Sequence, residues 1–279
     1  MYAPDDMPTD PVDYLRHLGE TGEGPYDIAM AALVLASLDH SHCELDLHCE
    51  HLRQMAEQAR HETRLAANAE DGARSLAALL SVRYGYDGDR MTYDDPQNAD
   101  LISVIERRRG MPVALGILYI HAARAAGFQA SGLTSPGHFF LRIGLRGSET
   151  LVDPFNGGAA PERERFRTPP KMRSAGGDEN QALQPVSDAE VLLRLQNNLK
   201  LRALQHGDTA RAIEIAQRMV LVAPRQAVLW MELAHLGEDK EALGLSRRAY
   251  EMCLTLTRSG TALHNEAALG LQGLKRRLN

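Results

Sequence analysis

Apolar and polar residues recur along this chain with two periods, and the helical one comes first. Residues 26–38 (YDIAMAALVLASL) form an apolar run suited to a buried helix and far too short to cross a bilayer. Residues 45–67 are amphipathic, with Leu45, Leu52, Met55, Ala59 and Ala66 on or near one stripe. The segment 75–83 (SLAALLSVR) predicts a further helix that stops at Gly85. Residues 84–98, rich in Gly, Asp, Asn and Pro, predict a loop. The spacing then predicts a helix over 113–126, because Ala114, Ile117, Leu118, His121, Ala122 and Ala125 share one face. Pro112 suits its first turn, where a missing N–H costs nothing, and Gly127 ends it.

Beyond Gly127 the period shortens to that of strands. Residues 129–133, 138–143 and 150–153 are predicted strands, the last two joined as a hairpin across 144–149. The register of that hairpin decides whether His138 and Asp153 meet. A turn centred between Leu145 and Arg146 places them directly opposite, and a centre one residue later makes them diagonal neighbours on one face. A half-residue slip between these puts them on opposite faces.

Residues 159–187 are heavy in Pro, Gly and charge and predict a polar linker or lid. Helical spacing then resumes. Asp188 is the expected cap of a helix to about residue 206, and helices at 209–222, 227–236, 240–256 and 261–278 follow. Helix pairs at roughly 34-residue spacing suggest tetratricopeptide-like packing. The expected organisation is a flexible start (1–25), a domain at 26–158, the linker at 159–187 and a helical segment at 188–279.

Composition narrows the function classes. An apolar share of 44% against 24% charged residues fits a globular chain with a real core. A formal charge of −6 argues against nucleic-acid binding, which needs a basic surface. No apolar stretch reaches the roughly 18 residues of a membrane span. The acidic, proline-bearing first 25 residues lack the apolar core of a signal peptide. Three cysteines, an odd number, form no disulfide framework, and a reducing cytoplasm is the expected compartment.

Three motifs stand in order: R-R-G-M-P at 108–112, P-G-H-F at 136–139 and D-P-F-N-G-G at 153–158. Together they resemble the transglutaminase-like domain of the SirB-type family, whose members often carry tetratricopeptide repeats behind it. The resemblance spans roughly residues 26–250. It implies an α+β fold: a mainly helical, papain-like domain with a small antiparallel sheet, followed by helical hairpins. In active relatives a cysteine at a helix N-terminus, a histidine and an aspartate form a triad, in which the helix end lowers the thiol pKa and the imidazole takes the proton. By motif His138 corresponds to the histidine and Asp153 to the aspartate. The nucleophile's place falls at residues 110–113, around Pro112, where no cysteine, serine or threonine stands.

The resemblance therefore implies a site without its attacking atom: a non-catalytic module that binds or scaffolds a protein or peptide partner, with no cofactor and no metal. Asn98, Arg108 and Gly137 are further candidate binding residues. The enzymatic alternative is an amide hydrolase or acyltransferase in which Cys43 or Cys49 is a displaced nucleophile. Structural readings stand beside these. His138 and Asp153 can simply pin a hairpin, and Arg107, Arg108 and Arg109 can be a solvated helix end. Asn98 and Pro136-Gly137 can be turn residues. The cluster His40, His42, Cys43, His48, Cys49 and His51 invites zinc, but it has no C-x-x-C pair and no second half-site, so polar residues of an amphipathic helix are the expectation.

Overall fold

The computed structural model describes residues 10–22, 24–40, 45–135, 138–161 and 184–278. The expected flexible start carries a helix, Pro11–Thr21 (α1). Proline opens it, Asp13 occupies its first turn, and the two leucines three residues apart, Leu15 and Leu18, are buried. A helix this short is marginal by itself, and burial of these leucines supplies what its length lacks.

The chain divides into two compact units, one built mainly of residues 24–192 and the other of residues 12–23 and 193–279. In the first, Ile28–Ser37 (α2) is capped by Asp27, whose carboxylate accepts from the Met30 N–H at 3.0 Å. Leu45–Thr63 (α3) buries Leu52, Met55 and Ala59, as its stripe predicts. Ala69–Ala77 (α4) is capped by Asn68 and passes without a break into a π-helical turn, Ala78–Arg83, where an ordinary helix over 75–83 is expected. The Tyr84 N–H reaches back five residues to the Leu79 carbonyl at 2.9 Å, so this turn is wider than an α-turn.

The segment expected as loop holds a short strand, Asp87–Gly88 (β1), and a 3-10 turn, Pro96–Ala99. After Leu101–Arg107 (α5) comes Arg109–Gly110 (β2), which pairs in parallel with β1 through Asp87–Arg109 and Gly88–Gly110. Helix Pro112–Ala125 (α6) starts at Pro112 as predicted, but one apolar stripe understates it. Val113, Leu115, Tyr119 and Ile120, off the stripe, are buried as well. A helix covered on all sides has no polar face to define a stripe.

Strands Gln129–Ser135 (β3), His138–Leu145 (β4), Ser148–Val152 (β5) and Gln184–Val186 (β6) form one antiparallel sheet in the order β5-β4-β3-β6. β6 lies within the segment expected to be linker, whose residues 162–183 fall outside the described residues. Phe139, Phe140, Leu141 and Ile143 of β4 are all buried, so both faces of this central strand are covered.

Helix Asp188–Gln205 (α7) follows. Its cap is Ser187 rather than Asp188. The Glu190 N–H donates to the Ser187 hydroxyl, and the Ser187 N–H donates to the Glu190 carboxylate at 2.8 Å, a reciprocal capping box. Asp188 is thereby free for another task. Buried at 3% exposure, it takes the Arg124 guanidinium end-on at 2.6 and 2.8 Å and accepts the Tyr26 N–H at 3.1 Å. Arg124 also donates to the Ala130 carbonyl, so one ion pair ties α6, β3 and the entry to α2 together.

The division between units falls after Leu192, within α7, rather than at residue 188. In the second unit, Thr209–Val222 (α8), Ala227–Asp239 (α9), Leu243–Leu256 (α10) and Ala262–Leu278 (α11) pack as successive antiparallel neighbours. Their shared core includes Ile215, Met219, Leu233, Ala249, Tyr250, Cys253 and Leu274. The fold is thus α+β, a helical domain with a small antiparallel sheet followed by helical hairpins. Among the described residues no helix is long and apolar enough to cross a membrane.

Replacing Asp188 by Ala leaves a part-buried guanidinium without its anion. The expected loss is about 3 kcal/mol of unfolding free energy. Urea unfolding of the variant checks this, and a loss below about 1 kcal/mol, the range of a surface pair, contradicts it.

Candidate functional site

The β4–β5 hairpin sets the register at issue. Leu145 pairs with Ser148 and Leu141 with Val152, so the turn centres between Arg146 and Gly147, both at positive φ. This is the second of the two favourable registers. Extended past Val152, it makes His138 and Asp153 diagonal neighbours on one face. Both side chains line a single cleft of about 220 Å³, together with Pro112, Phe139, Phe155 and Asn156. His138 is exposed, with its ring stacked on that of Phe140 at 5.6 Å between centroids, and Asp153 is buried at 4% exposure.

Asp153 organises the turn that follows it. Its Oδ1 accepts the N–H groups of Phe155 and Asn156 at 3.1 and 3.2 Å, and its Oδ2 accepts the Asn156 amide Nδ2 at 2.7 Å. The backbone closes the same turn, with the Asp153 N–H on the Ala159 carbonyl and the Gly158 N–H on the Asp153 carbonyl. Gly157 and Gly158 adopt φ of +64° and +79°. Positive φ suits glycine, and here space demands it too. A Cβ on Gly158 would lie 2.6 Å from both the Ala77 Cβ and the Tyr119 hydroxyl, and one on Gly157 would lie 3.0 Å from the Ser81 hydroxyl. Ala77 precedes the π-turn and Ser81 lies within it, so the irregular end of α4 is the surface on which the Gly-Gly turn rests. Tyr119 from α6 is fully buried there, and burial, with the Asp153 and Asp87 charges adding to it, raises its pKa.

The start of α6 forms the cleft's other wall. Met111 occupies the cap position without a side-chain cap, and its N–H donates to the Asn98 carbonyl at 3.0 Å. Asn98 is itself buried, its amide donating to the Thr92 carbonyl at 2.6 Å and accepting from Arg107. It anchors the helix start from behind and does not line the cleft.

Arg108 does not line the cleft either. It ends α5 at φ +57° and turns its guanidinium towards the Tyr86 hydroxyl, His51 Nε2 at 2.8 Å and the Tyr86 ring at 4.8 Å. Burial, then the Arg108 charge, hold the His51 pKa down to about 4. Arg107 pairs with Asp89 at 2.9 Å. Backbone and hydroxyl bonds from Thr92 lead the interactions that hold Asp89 down to about 2. Gly137, the third candidate binding residue, lies outside the described residues.

The histidine and cysteine cluster is dispersed. His40 faces Asp100 at 3.1 Å, His48 faces Glu106 at 3.4 Å, and His51 belongs to the Arg108 group. His42 and Cys43 lie outside the described residues. Cys49 sits on α3 with its sulfur 4.0 Å from that of Met30, and it does not line the cleft. Burial, then the Asp46 and Asp27 carboxylates, push its thiol up to about 11. This is the reverse of what activates a nucleophile. Cys253 is buried in the second unit's core.

The motif residues His138, Asp153 and Pro112 are legible in the sequence, whereas Phe139, Phe155 and Asn156 are not singled out by it. The signal for the last two is in the D-P-F-N-G-G motif itself, where an aspartate precedes a proline and a turn-forming asparagine.

The profile of the transglutaminase-like superfamily matches residues 47–197, more than half of the chain. A UPF0162 protein of Xylella fastidiosa (strain Temecula1) is 33% identical over 152 residues, 53% of this chain and 54% of that protein. A UPF0162 protein of Pseudomonas aeruginosa is 30% identical over 165 residues, 57% and 58% of the two chains. The chain thus spans about half the length of the curated relatives it matches. F-box only protein 21 of Mus musculus is 30% identical over 112 residues, 36% of this chain and 18% of that protein.

The Cys49 environment makes a pH prediction. Its alkylation by iodoacetamide, followed by mass spectrometry of the labelled peptide, should be slow at pH 7 and rise with pH towards about 11. Rapid labelling at pH 7 would contradict the placement of this thiol.

Proposed function

The chain belongs to the transglutaminase-like superfamily, and from that premise we propose that it is a non-catalytic member of SirB type whose cleft holds a segment of a protein or peptide partner. The observation that carries this reading is the residue at the start of α6. Pro112 lines the cleft beside His138 and Asp153, where a nucleophile would have to stand. Acyl transfer needs an attacking lone pair about 3–3.5 Å from the carbonyl carbon, and a proline ring has none. The described cysteines offer no substitute, since Cys49 is elsewhere with a raised pKa and Cys253 is in the other unit's core.

What remains suits binding. A space of about 220 Å³ is below the roughly 300 Å³ at which pockets for drug-sized ligands begin, and it matches one side chain of a longer segment. Phe155 and the Pro112 ring supply apolar surface, and His138 supplies a hydrogen-bonding edge that can face a peptide group. The consecutive helical hairpins α8–α9 and α10–α11 support a tetratricopeptide-type role for the second unit, in which stacked hairpins present a surface to a partner.

The test is turnover on broad pools of glutamine peptides, reading amine incorporation and amide hydrolysis. Wild type, His138→Ala and a variant with all three cysteines changed to serine are compared. All three should match buffer. Wild-type turnover lost in both variants would replace the binding reading with a displaced cysteine working through His138.

A further inference from the structure

Asn156 lines the cleft and looks, by residue type, like a donor for a ligand. Its bonds say otherwise. The amide is held at both ends: Nδ2 donates to Asp153 Oδ2 at 2.7 Å, and Oδ1 accepts from Arg90 Nη2 at 2.9 Å. An amide's two ends are nearly isosteric, and which end faces which partner is decided by the hydrogen-bond network. A guanidinium can only donate and a carboxylate only accept, so these two partners leave one orientation for the Asn156 side chain.

Arg90 is placed to impose it. The same guanidinium donates to the Phe155 carbonyl at 3.0 Å, to the Gly88 carbonyl at 3.1 Å and to the Asp87 carboxylate at 3.1 Å, and it lies 5.0 Å from the Phe155 ring centroid. It therefore spans from β1 to the Asp153 turn. Gly88 permits this approach, because a Cβ there would meet the Phe155 ring and carbonyl at 2.6 Å.

We propose that Arg90, which lies outside the three motifs and does not line the cleft, is the positioning residue of the binding site. Through Asn156 it fixes the Asp153 carboxylate, and it withdraws the Asn156 amide from ligand recognition. The cleft then offers a ligand the His138 imidazole and the apolar faces of Pro112 and Phe155. The inference rests on the reading of this cleft as a binding site, and its test does not depend on turnover.

The experiment is side-chain amide NMR on the full chain, following hydrogen exchange of the Asn156 Nδ2 protons in wild type, Arg90→Met, Arg90→Lys and Thr92→Val. Arg90→Met should speed that exchange about tenfold, the effect of losing one charge-assisted hydrogen bond. Arg90→Lys, which keeps a donor, should restore at least part of the protection. Thr92→Val removes a hydroxyl bond to Asp89 in the same loop, and it should leave Asn156 exchange unchanged. Unchanged exchange in Arg90→Met, or equal acceleration in Thr92→Val, would overturn the proposal. If Arg90→Met does not fold, Arg90→Gln, whose shorter side chain cannot span from β1 to Asn156, takes its place against Thr92→Val, and exchange no faster in the glutamine variant than in the valine variant overturns the proposal. Turnover by wild type would instead remove the binding reading and leave the Arg90 result standing.

Discussion

A buried carboxylate without enough donors is among the costliest features a fold can carry, and Asp153 avoids that cost within its own turn. Two backbone N–H groups and the Asn156 amide reach it from the next three residues. The constraint propagates outwards. Reaching Asp153 forces the chain through a tight 3-10 turn, Pro154–Asn156, which must then reverse through two glycines at positive φ. Those glycines lie where Ala77, Ser81 and Tyr119 leave no room for a Cβ. The π-turn after α4, the buried length of α6 and the Gly-Gly pair are therefore one packing solution around one charge.

That solution gives the cleft a firm floor whatever its chemistry. Asn98 fixes the start of α6 through the Met111 N–H, β4 delivers His138 from the sheet, and the Asp153 turn closes the third side. The start of α6 and the two ends of one hairpin thus meet at one place, the arrangement an acyl-transfer triad requires. The proposed reading keeps this scaffold and removes only the attacking atom. A proline in the first helical turn maintains the helix geometry while offering no nucleophile. The Arg124–Asp188 pair secures the other side of the same domain by joining α6 and β3 to the residue that opens α7.

Much of this was legible from residue pattern. The start of α6 at Pro112, the stripe of α3 and the β4–β5 hairpin follow from apolar periodicity and turn chemistry, which are local signals. The α+β class and the superfamily follow from three ordered motifs. The misses share one cause, that tertiary contacts decide among local options. Asp188 is as good a cap as Ser187 by residue type, and only the distant Arg124 reveals why serine takes the cap. Arg108 is indistinguishable by type from Arg107, yet one joins Tyr86 and His51 and the other Asp89. The π-turn has no signature in SLAALLSVR. Arg90, in a segment that looks like plain loop, has no sequence signal at all.

Pro112 lines the cleft beside His138 and Asp153, in the place we propose for the missing nucleophile. Installing the missing thiol tests it most directly: Pro112→Cys, made with the native cysteines changed to serine and compared with a Cys49-only protein, assayed by the rate of iodoacetamide alkylation at pH 7. The new thiol should react at least about tenfold faster than Cys49, as a thiol at a helix N-terminus near an imidazole does, and His138→Ala should remove most of the gain. A thiol at position 112 that reacts as slowly as Cys49, with or without His138, would contradict that placement.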